Sequence, residues 1–337
     1  MQALLSVAPG GPDTLELTTL PDPSPGRGEL LIGIRAAGVN FPDTLIIQDR
    51  YQIRPPRPFA PGGEIAGEVL AVGEGVSGFE IGDRVLALTG HGGFATHLTI
   101  PSATAVKFPD SMPFEDAACF IFTYGTSYHA LKDRADLQPD ETLLVLGAAG
   151  GVGSAAIELG KAMGARVIAA VSSQDKADFC RSLGADETVL YAHDMDKESQ
   201  KNFTSEIKDL SAPLGVNVVY DAVGGDYAEP ALRAMAWNGR FLVVGFPAGI
   251  PKIPLNLPLL KGCQIMGVFW GASVMRDPVG HSENVRDLFR LYSEAKIKPK
   301  INARYPLDRA SEALTHMTSR SALGKTVVTM PAHAEGE

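Results

Sequence analysis

The stretch Glu141-Thr-Leu-Leu-Val-Leu-Gly-Ala-Ala-Gly-Gly-Val-Gly153 carries the strongest structural signal in this chain. Its apolar part, Leu143 to Leu146, is typical of a buried strand, and the glycines that follow at once are typical of a tight turn. A helix-like segment, Ser154 to Met163, comes next. The order strand, glycine turn, helix places a pyrophosphate at a helix N-terminus, where backbone N–H groups and the helix dipole favour negative charge. These flanks favour a dinucleotide-binding unit over a glycine-rich turn in some other α/β fold.

The residues that follow indicate which dinucleotide binds. In NAD-binding versions an acidic residue stands about 20 residues past the glycines and binds the ribose 2′-OH. Ser172 and Ser173 stand there in this chain, with Lys176 close behind and Tyr191 at the end of the next predicted strand. Hydroxyls and an ammonium bind a 2′-phosphate that a carboxylate would repel. We therefore predict NADPH rather than NADH, although Asp175 is discordant and Lys176 also fits an ordinary exposed helix lysine.

Composition excludes several classes of protein. The 337 residues suffice for two domains and a large core. A formal net charge of −9 argues against nucleic-acid binding, which needs a clustered basic face. The cysteines Cys119, Cys180 and Cys263 are few and far apart, as in proteins of a reducing compartment. No apolar run has the length of a signal peptide or a membrane span, so we expect a cytoplasmic protein without membrane insertion.

The chain changes character along its length. The first third holds short strands separated by glycine turns, which is typical of a compact β barrel. Strands then alternate with helices, which predicts a parallel sheet. We predict strands at 142–147, 166–171, 187–191, 216–221 and 239–245, helices at 154–163, 175–183, 200–210 and 227–236, a further strand at 264–270, and a disordered tail from Pro331. The turn Asp221-Ala-Val-Gly-Gly225 and the turn at Gly245 fall on the carboxyl edge of this sheet, where ligands bind.

Motifs spread over the chain carry a family resemblance. Together they resemble the medium-chain dehydrogenase/reductase superfamily, in its zinc-free quinone oxidoreductase branch. The matching stretches are Ala36-Ala-Gly-Val-Asn-Phe-Pro-Asp43, Pro61-Gly-Gly-Glu64, Val72-Gly-Glu-Gly-Val76, Gly82-Asp-Arg-Val85, Thr123-Tyr-Gly-Thr-Ser-Tyr-His-Ala130, Gly147 to Gly153, Asp221-Ala-Val-Gly-Gly225 and Gly324-Lys-Thr-Val-Val328. They run nearly from end to end in the order of the family, so the set is specific although each motif alone is modest.

The resemblance implies an α/β architecture in which a Rossmann-type doubly wound parallel sheet is inserted in a barrel-like, β-rich (GroES-like) catalytic domain. We predict that residues 1–122 form the first part of the catalytic domain and residues 123–263 form the NADPH-binding domain. Residues 264–330 are expected to complete the catalytic domain and supply a sheet edge, and residues 331–337 form the tail. The active site is expected in the cleft between the domains. Members of the family are commonly dimers, and strand 264–270 is the candidate edge for pairing with a second copy.

The zinc ligands of related alcohol dehydrogenases are missing. At the positions of a ligating cysteine and histidine stand Asn40 and Gly63, which supply neither a thiolate nor an imidazole. The chain also passes directly from Leu88 to Phe94 without the cysteine-rich lobe. Because a tetrahedral zinc site needs at least three protein ligands, we predict that no metal is bound. Delivery of a hydride to a conjugated carbonyl or a quinone stays feasible, because the acceptor itself delocalises the developing charge.

The resemblance also implies roles for individual residues. Asn40 is expected near the nicotinamide and its ribose, although asparagine is also a good helix cap. Tyr51 is either a surface aromatic or, as in related enoyl reductases, a proton donor after hydride transfer. Thr126 fits both a helix cap and a contact with the nicotinamide carboxamide. Asp43 and Glu64 are expected to be structural hydrogen-bond acceptors. The further expected cofactor contacts are Gly150, Gly151, Val152, Val223, Val244, Gly245, Phe246, Phe269, Trp270 and Lys325. Phe269 and Trp270 fit core packing as well, and Lys325 also fits a surface lysine.

These observations predict an NADPH-dependent oxidoreductase that passes a hydride to a quinone or an α,β-unsaturated carbonyl, with an apolar cleft lined by Tyr51, Phe59, Phe246 and Trp270. One alternative is a 2-enoyl thioester reductase with Tyr51 as proton donor, for which Arg50, Arg54 and Arg57 are candidates to bind the coenzyme tail of the substrate. Another alternative is a non-catalytic NADPH-binding protein.

Overall fold

The computed structural model describes residues 1–319 and 321–331, and these form two compact units. The first unit contains residues 1–122 together with the described residues from Pro299 onward, and the second contains residues 123–298. Pro331 is exposed, and the rest of the predicted tail lies outside the described residues. None of the helices in the described ranges is both long and apolar enough to cross a bilayer.

The strands alternate with eleven helices along these ranges. The strands are β1 (Gln2–Ser6), β2 (Leu15–Thr19), β3 (Glu29–Val39), β4 (Glu64–Val72), β5 (Arg84–Leu88), β6 (His97–Pro101), β7 (Ala105–Lys107), β8 (Thr142–Leu146), β9 (Arg166–Val171), β10 (Glu187–Leu190), β11 (Val216–Asp221), β12 (Met235–Val243), β13 (Gln264–Gly267), β14 (Ile301–Pro306) and β15 (Lys325–Thr329). The α-helices are α1 (Phe41–Ile46), α2 (Phe114–Ala118), α3 (Ile121–Tyr128), α4 (Gly151–Ala162), α5 (Gln174–Ser182), α6 (Lys197–Leu210), α7 (Ala228–Arg233), α8 (Asn256–Lys261), α9 (Trp270–Arg276), α10 (Pro278–Ser293) and α11 (Ala310–Thr318).

The second unit is built on a parallel sheet of six strands in the order β10-β9-β8-β11-β12-β13. This is the order of a doubly wound dinucleotide-binding sheet, and it confirms the predicted Rossmann topology. Its strands are apolar runs because both faces of such a sheet are covered. Val145, Ile168 and Val219 are fully buried in it. After β8 the chain crosses to one side and after β11 to the other, which leaves a crevice at the carboxyl ends of these two strands.

The first unit is built on antiparallel pairs around the long strand β3. One edge of β3 pairs with β4 along most of its length, while the other pairs first with β6 and then with β15. Two register shifts against β4 bend the strand, so the sheet curls as expected of a barrel-like unit. Its core includes Ile32, Ile65, Phe94 and Leu314.

The predicted boundary at residue 264 is wrong, because residues 264–298 belong to the second unit. Strand β13 pairs in parallel with β12 and extends the dinucleotide-binding sheet. Helix α10 is held to the same unit by Asn284, whose amide nitrogen donates to Asp133 at 2.8 Å and whose oxygen accepts from Lys132 at 2.6 Å. The prediction of a sheet edge in this segment is confirmed, because β13 is the last strand of the parallel sheet, whereas helix α9 was not predicted.

Several predicted element ends also differ. The strand expected at 264–270 ends at Gly267, and Trp270 begins α9 instead. Thr126 lies inside α3, which begins at Ile121 and continues into a π-helical turn at His129–Arg134, so its expected place at a helix start is wrong. Helix α4 begins at Gly151 rather than Ser154. Gly151 and Gly153 therefore lie in the first turn of the helix, whereas Gly147 belongs to the preceding turn and Gly150 is the N-cap.

Candidate functional site

The glycine turn lies at the carboxyl end of β8, where the strand order reverses. Gly147 has a φ of +67°, which a residue without a side chain adopts at no steric cost. Gly150 is the N-cap of α4. A Cβ on Gly153 would lie 2.3 Å from the carbonyl oxygen of Gly147, so only glycine lets the helix sit this close to the turn. The N-terminus of a twelve-residue helix thus faces the crevice, with Gly150, Gly151 and Val152 at its tip.

A second turn, after β11, lies against the first. A Cβ on Gly147 would meet the side chain of Val223 at 2.8 Å. One carboxylate oxygen of Asp221 accepts from the N–H groups of Val223 and Gly224 at 2.9 and 2.8 Å. Burial raises the pKa of Asp221, while these two donors act in the opposite direction. Asp221 therefore holds the turn in shape from inside the protein, a role that the sequence analysis missed.

The same aspartate connects this turn to the end of β12. Its backbone oxygen accepts from Val244 at 2.9 Å and from Gly245 at 3.2 Å. Phe246 follows with its side chain half exposed. The structure therefore brings Val223, Val244, Gly245 and Phe246 to one edge of the sheet, beside the glycine turn.

A hydroxyl and an ammonium meet at the end of β9. The Nζ atom of Lys176 donates to Oγ of Ser172 at 3.2 Å. The N–H of Tyr191 donates to the carbonyl oxygen of Val171 at 2.9 Å, which places Tyr191 beside Ser172 on the neighbouring strand. Ser173 serves as the N-cap of α5, accepting from the N–H of Lys176. Ser172 and Lys176 are thus in contact and the backbone of Tyr191 lies next to them, whereas the hydroxyl of Ser173 is engaged in capping.

The ring of Tyr191 is packed against other aromatic rings. Its centroid lies 4.8 Å from that of Tyr227 and 5.9 Å from that of Phe203. Burial raises the pKa of the Tyr191 phenol above its ordinary value, with Tyr227 a smaller cause in the same direction. The phenol is therefore protonated at neutral pH and able to donate a hydrogen bond.

The indole of Trp270 packs against Gly125 of helix α3. A Cβ on Gly125 would lie 2.5 Å from the Trp270 ring, while Phe269 is largely exposed. Trp270 is 7% exposed, which makes it a core residue and corrects its expected place in the lining of the cleft. On the same helix, Oγ of Ser127 donates to the carbonyl oxygen of Val152 at 2.9 Å. Ser127 thereby anchors the start of α4, a contact that sequence analysis did not find.

The first unit holds a separate polar cluster around Asn40. Lys325 is 2% exposed, and its Nζ atom lies 2.7 Å from Oδ1 of Asn40 and 3.1 Å from Oε2 of Glu64. The expectation that Lys325 is a surface residue or reaches a cofactor phosphate is therefore wrong, because the ammonium is buried among these partners. Asn40 is the N-cap of α1, and its N–H donates to the carboxylate of Asp43 at 2.7 Å. The expectation of a helix cap is therefore confirmed for Asn40, and its place near the nicotinamide stays a prediction.

The two carboxylates of the cluster accept hydrogen bonds from the backbone. Asp43 also accepts from the N–H of Gly63 at 3.1 Å, and Glu64 accepts from the N–H of Phe122 at 2.9 Å. Burial raises the pKa of Asp43 to about 6, although the backbone donors and Lys325 favour its ionised form. Both carboxylates are therefore structural acceptors, as expected.

Tyr51 lies against the core of the first unit and is half buried. Burial raises the pKa of its phenol, and the nearby Asp43 carboxylate raises it further. The phenol is consequently protonated at neutral pH. Phe59, by contrast, is a buried core residue and does not line a cleft.

The three arginines near Tyr51 have different surroundings. The guanidinium of Arg57 binds Asp49 at 2.7 Å and the carbonyl oxygen of Ile47 at 2.9 Å, so this side chain fixes its own loop. Arg50 and Arg54 are exposed. The expectation of three arginines for a coenzyme tail is therefore wrong for Arg57.

The residues around Asn40 do not fit a zinc ion. The ammonium of Lys325 already lies between the oxygens of Asn40 and Glu64, and it would repel a divalent cation there. Gly63 is packed against the backbone of Gly90 and has no ligating atom in a side chain. Over residues 1–319 and 321–331, no group of three or more His, Cys, Asp or Glu side chains is arranged to hold a metal.

Comparison with known proteins places the chain in a family. Residues 26–110 match the family model of the alcohol dehydrogenase GroES-like domain, and residues 151–291 match that of the zinc-binding dehydrogenases. The chain is 38% identical over 307 residues to a quinone oxidoreductase-like protein 2 homolog of Nematostella vectensis, covering 90% of this chain and 82% of that protein.

Solved structures show the same architecture. A mycobacterial protein solved in complex with NADPH superposes with a TM-score of 0.89 at 30% identity, covering 98% of this chain and 100% of that chain. The quinone oxidoreductase of Escherichia coli, also solved in complex with NADPH, superposes with a TM-score of 0.88 at 28% identity over 98% and 100% of the two chains. With its GroES-like first unit and its Rossmann-type second unit, this chain belongs to the medium-chain dehydrogenase/reductase superfamily.

Proposed function

We propose that this protein is a zinc-independent, NADPH-dependent oxidoreductase that passes a hydride to a quinone or an α,β-unsaturated carbonyl. The observation that carries the proposal is the pair formed by Ser172 and Lys176 at the end of β9, in the same unit as the glycine turn. A neutral hydroxyl and an ammonium suit a 2′-phosphate, whereas NAD-specific sites have a carboxylate there. The NADPH complexes of two structural relatives support the same coenzyme.

In this proposal the residues of the chain bind and orient, and bound NADPH supplies the hydride. The tip of α4 at Gly150, Gly151 and Val152 holds the pyrophosphate. Thr126 and the backbone at Val244 and Gly245 contact the nicotinamide carboxamide. The remaining proposed contacts are Val223, Phe246, Phe269 and Tyr191, with Asn40 near the nicotinamide ribose. The exposed rings of Phe246 and Phe269 offer apolar surface to a flat acceptor.

A steady-state assay tests the activity. We expect NADPH, followed by its absorbance at 340 nm, to be consumed with members of a panel of quinones and conjugated enones, and faster than NADH at equal concentration. NADPH binding measured by fluorescence, without consumption of any acceptor, would instead indicate a non-catalytic NADPH-binding protein. A preference for NADH would overturn the coenzyme assignment.

A 2-enoyl thioester reductase is the second candidate, favoured by the protonated phenol of Tyr51 beside Asp43 and by the exposed Arg50 and Arg54. If Tyr51 donates the proton, Tyr51→Phe should lower kcat with an enoyl thioester by about 100-fold, since positioned acids contribute roughly 10²–10⁴-fold. The dissociation constant for NADPH should stay unchanged, because phenylalanine keeps the packing. An unchanged kcat would remove Tyr51 from the mechanism.

We also propose that a second copy of this chain pairs along β13, the last strand of the parallel sheet. An edge strand offers N–H and C=O groups to a partner strand. Apolar side chains around this edge are exposed, which suits an interface. They include Trp237, Leu259, Leu260 and Ile265. Analytical ultracentrifugation decides between a dimer and a monomer.

We propose the reducing cytoplasm as the location of this protein, and its three free cysteines agree with that compartment.

A further inference from the structure

The buried ammonium of Lys325 is the feature that the proposed activity leaves unexplained. Its three hydrogens have three acceptors, namely Oδ1 of Asn40 at 2.7 Å, Oε2 of Glu64 at 3.1 Å and the carbonyl oxygen of Val39 at 3.3 Å. The side chains of Lys325 and Glu64 are 3% and 0% exposed. Burying such a pair is costly, and apolar residues of similar volume are often as stable or more stable. Stability alone therefore does not account for the pair.

The pair fixes the orientation of the Asn40 amide. Lysine donates and never accepts, so the atom of Asn40 that faces Nζ of Lys325 must be the oxygen. The amide nitrogen then faces Oε2 of Glu64 at 2.9 Å and the carbonyl oxygen of Gly38 at 3.3 Å, and both of these atoms accept. The flipped amide would place two donors against each other at Lys325 and two acceptors against each other at Glu64. Only one orientation of the amide is thus compatible with its surroundings.

This orientation decides what Asn40 offers to a ligand. Both hydrogens of its amide nitrogen are used by Glu64 and Gly38, and one lone pair of Oδ1 is used by Lys325. An amide oxygen has two lone pairs, so the remaining capacity of the side chain is as an acceptor. The partner that Asn40 recognises must therefore donate a hydrogen, as a ribose hydroxyl or a carboxamide N–H does.

We propose that Lys325 and Glu64 are positioning residues that hold Asn40 as a hydrogen-bond acceptor for a donor group of the bound nucleotide. This inference rests on the proposed function, because it takes Asn40 as a contact of NADPH. Lys325 touches Asn40 rather than the nucleotide, and it acts by keeping Oδ1 in place and by excluding the flipped amide. The fold brings these residues together from the starts of α1, β4 and β15.

The first test is a double-mutant cycle on NADPH binding. Lys325→Met removes the ammonium and keeps the length of the side chain, and we expect the dissociation constant to rise about tenfold, the factor equivalent to about 1.4 kcal/mol. In an Asn40→Ala background, Lys325→Met should raise the dissociation constant by less than about twofold, since the effects of residues that act through one another are not additive. Ile100→Ala, a buried change elsewhere in the first unit, controls for lost stability and should leave the dissociation constant unchanged.

The second test distinguishes an acceptor from a donor. Asn40→Asp combined with Glu64→Gln exchanges the amide and the carboxylate and conserves the net charge. The aspartate at position 40 accepts but cannot donate, so we expect this double variant to bind NADPH at least tenfold more tightly than Asn40→Leu. A double variant that binds as weakly as Asn40→Leu would show that Asn40 donates, and would overturn the proposal.

The outcomes separate this inference from the function beneath it. Wild-type protein that binds NADPH, together with a Lys325→Met variant that binds equally well, overturns the inference alone. An equal loss from Lys325→Met in both backgrounds assigns Lys325 a structural role and also overturns it. Wild-type protein that does not bind NADPH overturns the proposed function and the inference together. If Lys325→Met fails to fold, the double variant Asn40→Asp with Glu64→Gln still tests whether residue 40 accepts a hydrogen bond from the nucleotide.

Discussion

Ser172→Asp should weaken NADPH binding by about 100-fold and strengthen NADH binding. The new carboxylate would stand where the 2′-phosphate is proposed to bind, and it would pair with Lys176, whose Nζ atom lies 3.2 Å from the present hydroxyl. The variant therefore adds a repulsion between the carboxylate and the 2′-phosphate, and it weakens the attraction between Lys176 and that phosphate. Two like charges about 4 Å apart near a protein surface interact by up to about 4 kcal/mol, and a net loss of about 3 kcal/mol corresponds to a factor of roughly 100.

The measurement is the dissociation constant of each coenzyme, from the quenching of protein fluorescence. Ser182→Asp is the matched control, because it adds the same charge to an exposed serine at the other end of α5. It should leave both constants within about twofold of the wild-type values. If Ser172→Asp binds NADPH as tightly as wild type does, the 2′-phosphate does not contact this residue and the coenzyme assignment fails.

Gly153→Val should abolish useful NADPH binding, with a loss of about 100-fold or more. A Cβ at this position would lie 2.3 Å from the carbonyl oxygen of Gly147 and 2.8 Å from Cα of Ala148. Both atoms belong to the backbone of the turn, so the turn itself must shift away from the helix. Valine is not a worse helix former than glycine, so helix propensity does not account for a loss. Overpacking of this kind costs about 1–3 kcal/mol in the fold, and the displaced turn loses its contact with the pyrophosphate.

Gly160→Ala provides the control within the same helix. Its Cβ would meet the ends of the buried side chains of Leu143 and Val167 and no backbone atom of the glycine turn, so the turn stays where it is. We expect a lower melting temperature with the NADPH dissociation constant within about threefold of wild type. Isothermal titration calorimetry on both variants decides the matter. Tight binding by Gly153→Val would show that the pyrophosphate does not lie on this turn.

The strands and helices of the second unit are largely readable from local patterns. The apolar run at Leu143 to Leu146 and the glycines after it are contiguous, so a strand, a turn and a helix follow from neighbouring residues alone. The doubly wound order was predicted from the alternation of strands and helices together with the family resemblance. The sequence also indicated the cluster of Ser172, Lys176 and Tyr191, because two adjacent parallel strands bring their carboxyl ends together.

Other features depended on partners far away in the chain. Residues 264–298 belong to the second unit because β13 forms hydrogen bonds to the edge of β12. The local sequence of a strand does not determine which sheet edge it pairs with. Trp270 became a core residue because Gly125, distant in sequence, leaves space for its indole. Asp221 and Ser127 were overlooked because each binds backbone atoms of a turn, and such contacts leave no spacing signal in the sequence.

Lys325 shows most clearly what the sequence determines and what only the tertiary structure decides. The sequence by itself determined that a lysine follows Gly324 at the start of the last strand. Such a residue is predicted to be exposed, because lysine is almost never buried unless it is paired. Only the tertiary structure supplied the partners of the Lys325 ammonium. They are Asn40, 285 residues away in the sequence, and Glu64, 261 residues away. The physical reason is that secondary structure follows from interactions between neighbours along the chain. The burial of a charge, in contrast, depends on which distant groups the fold places within a few ångströms of it.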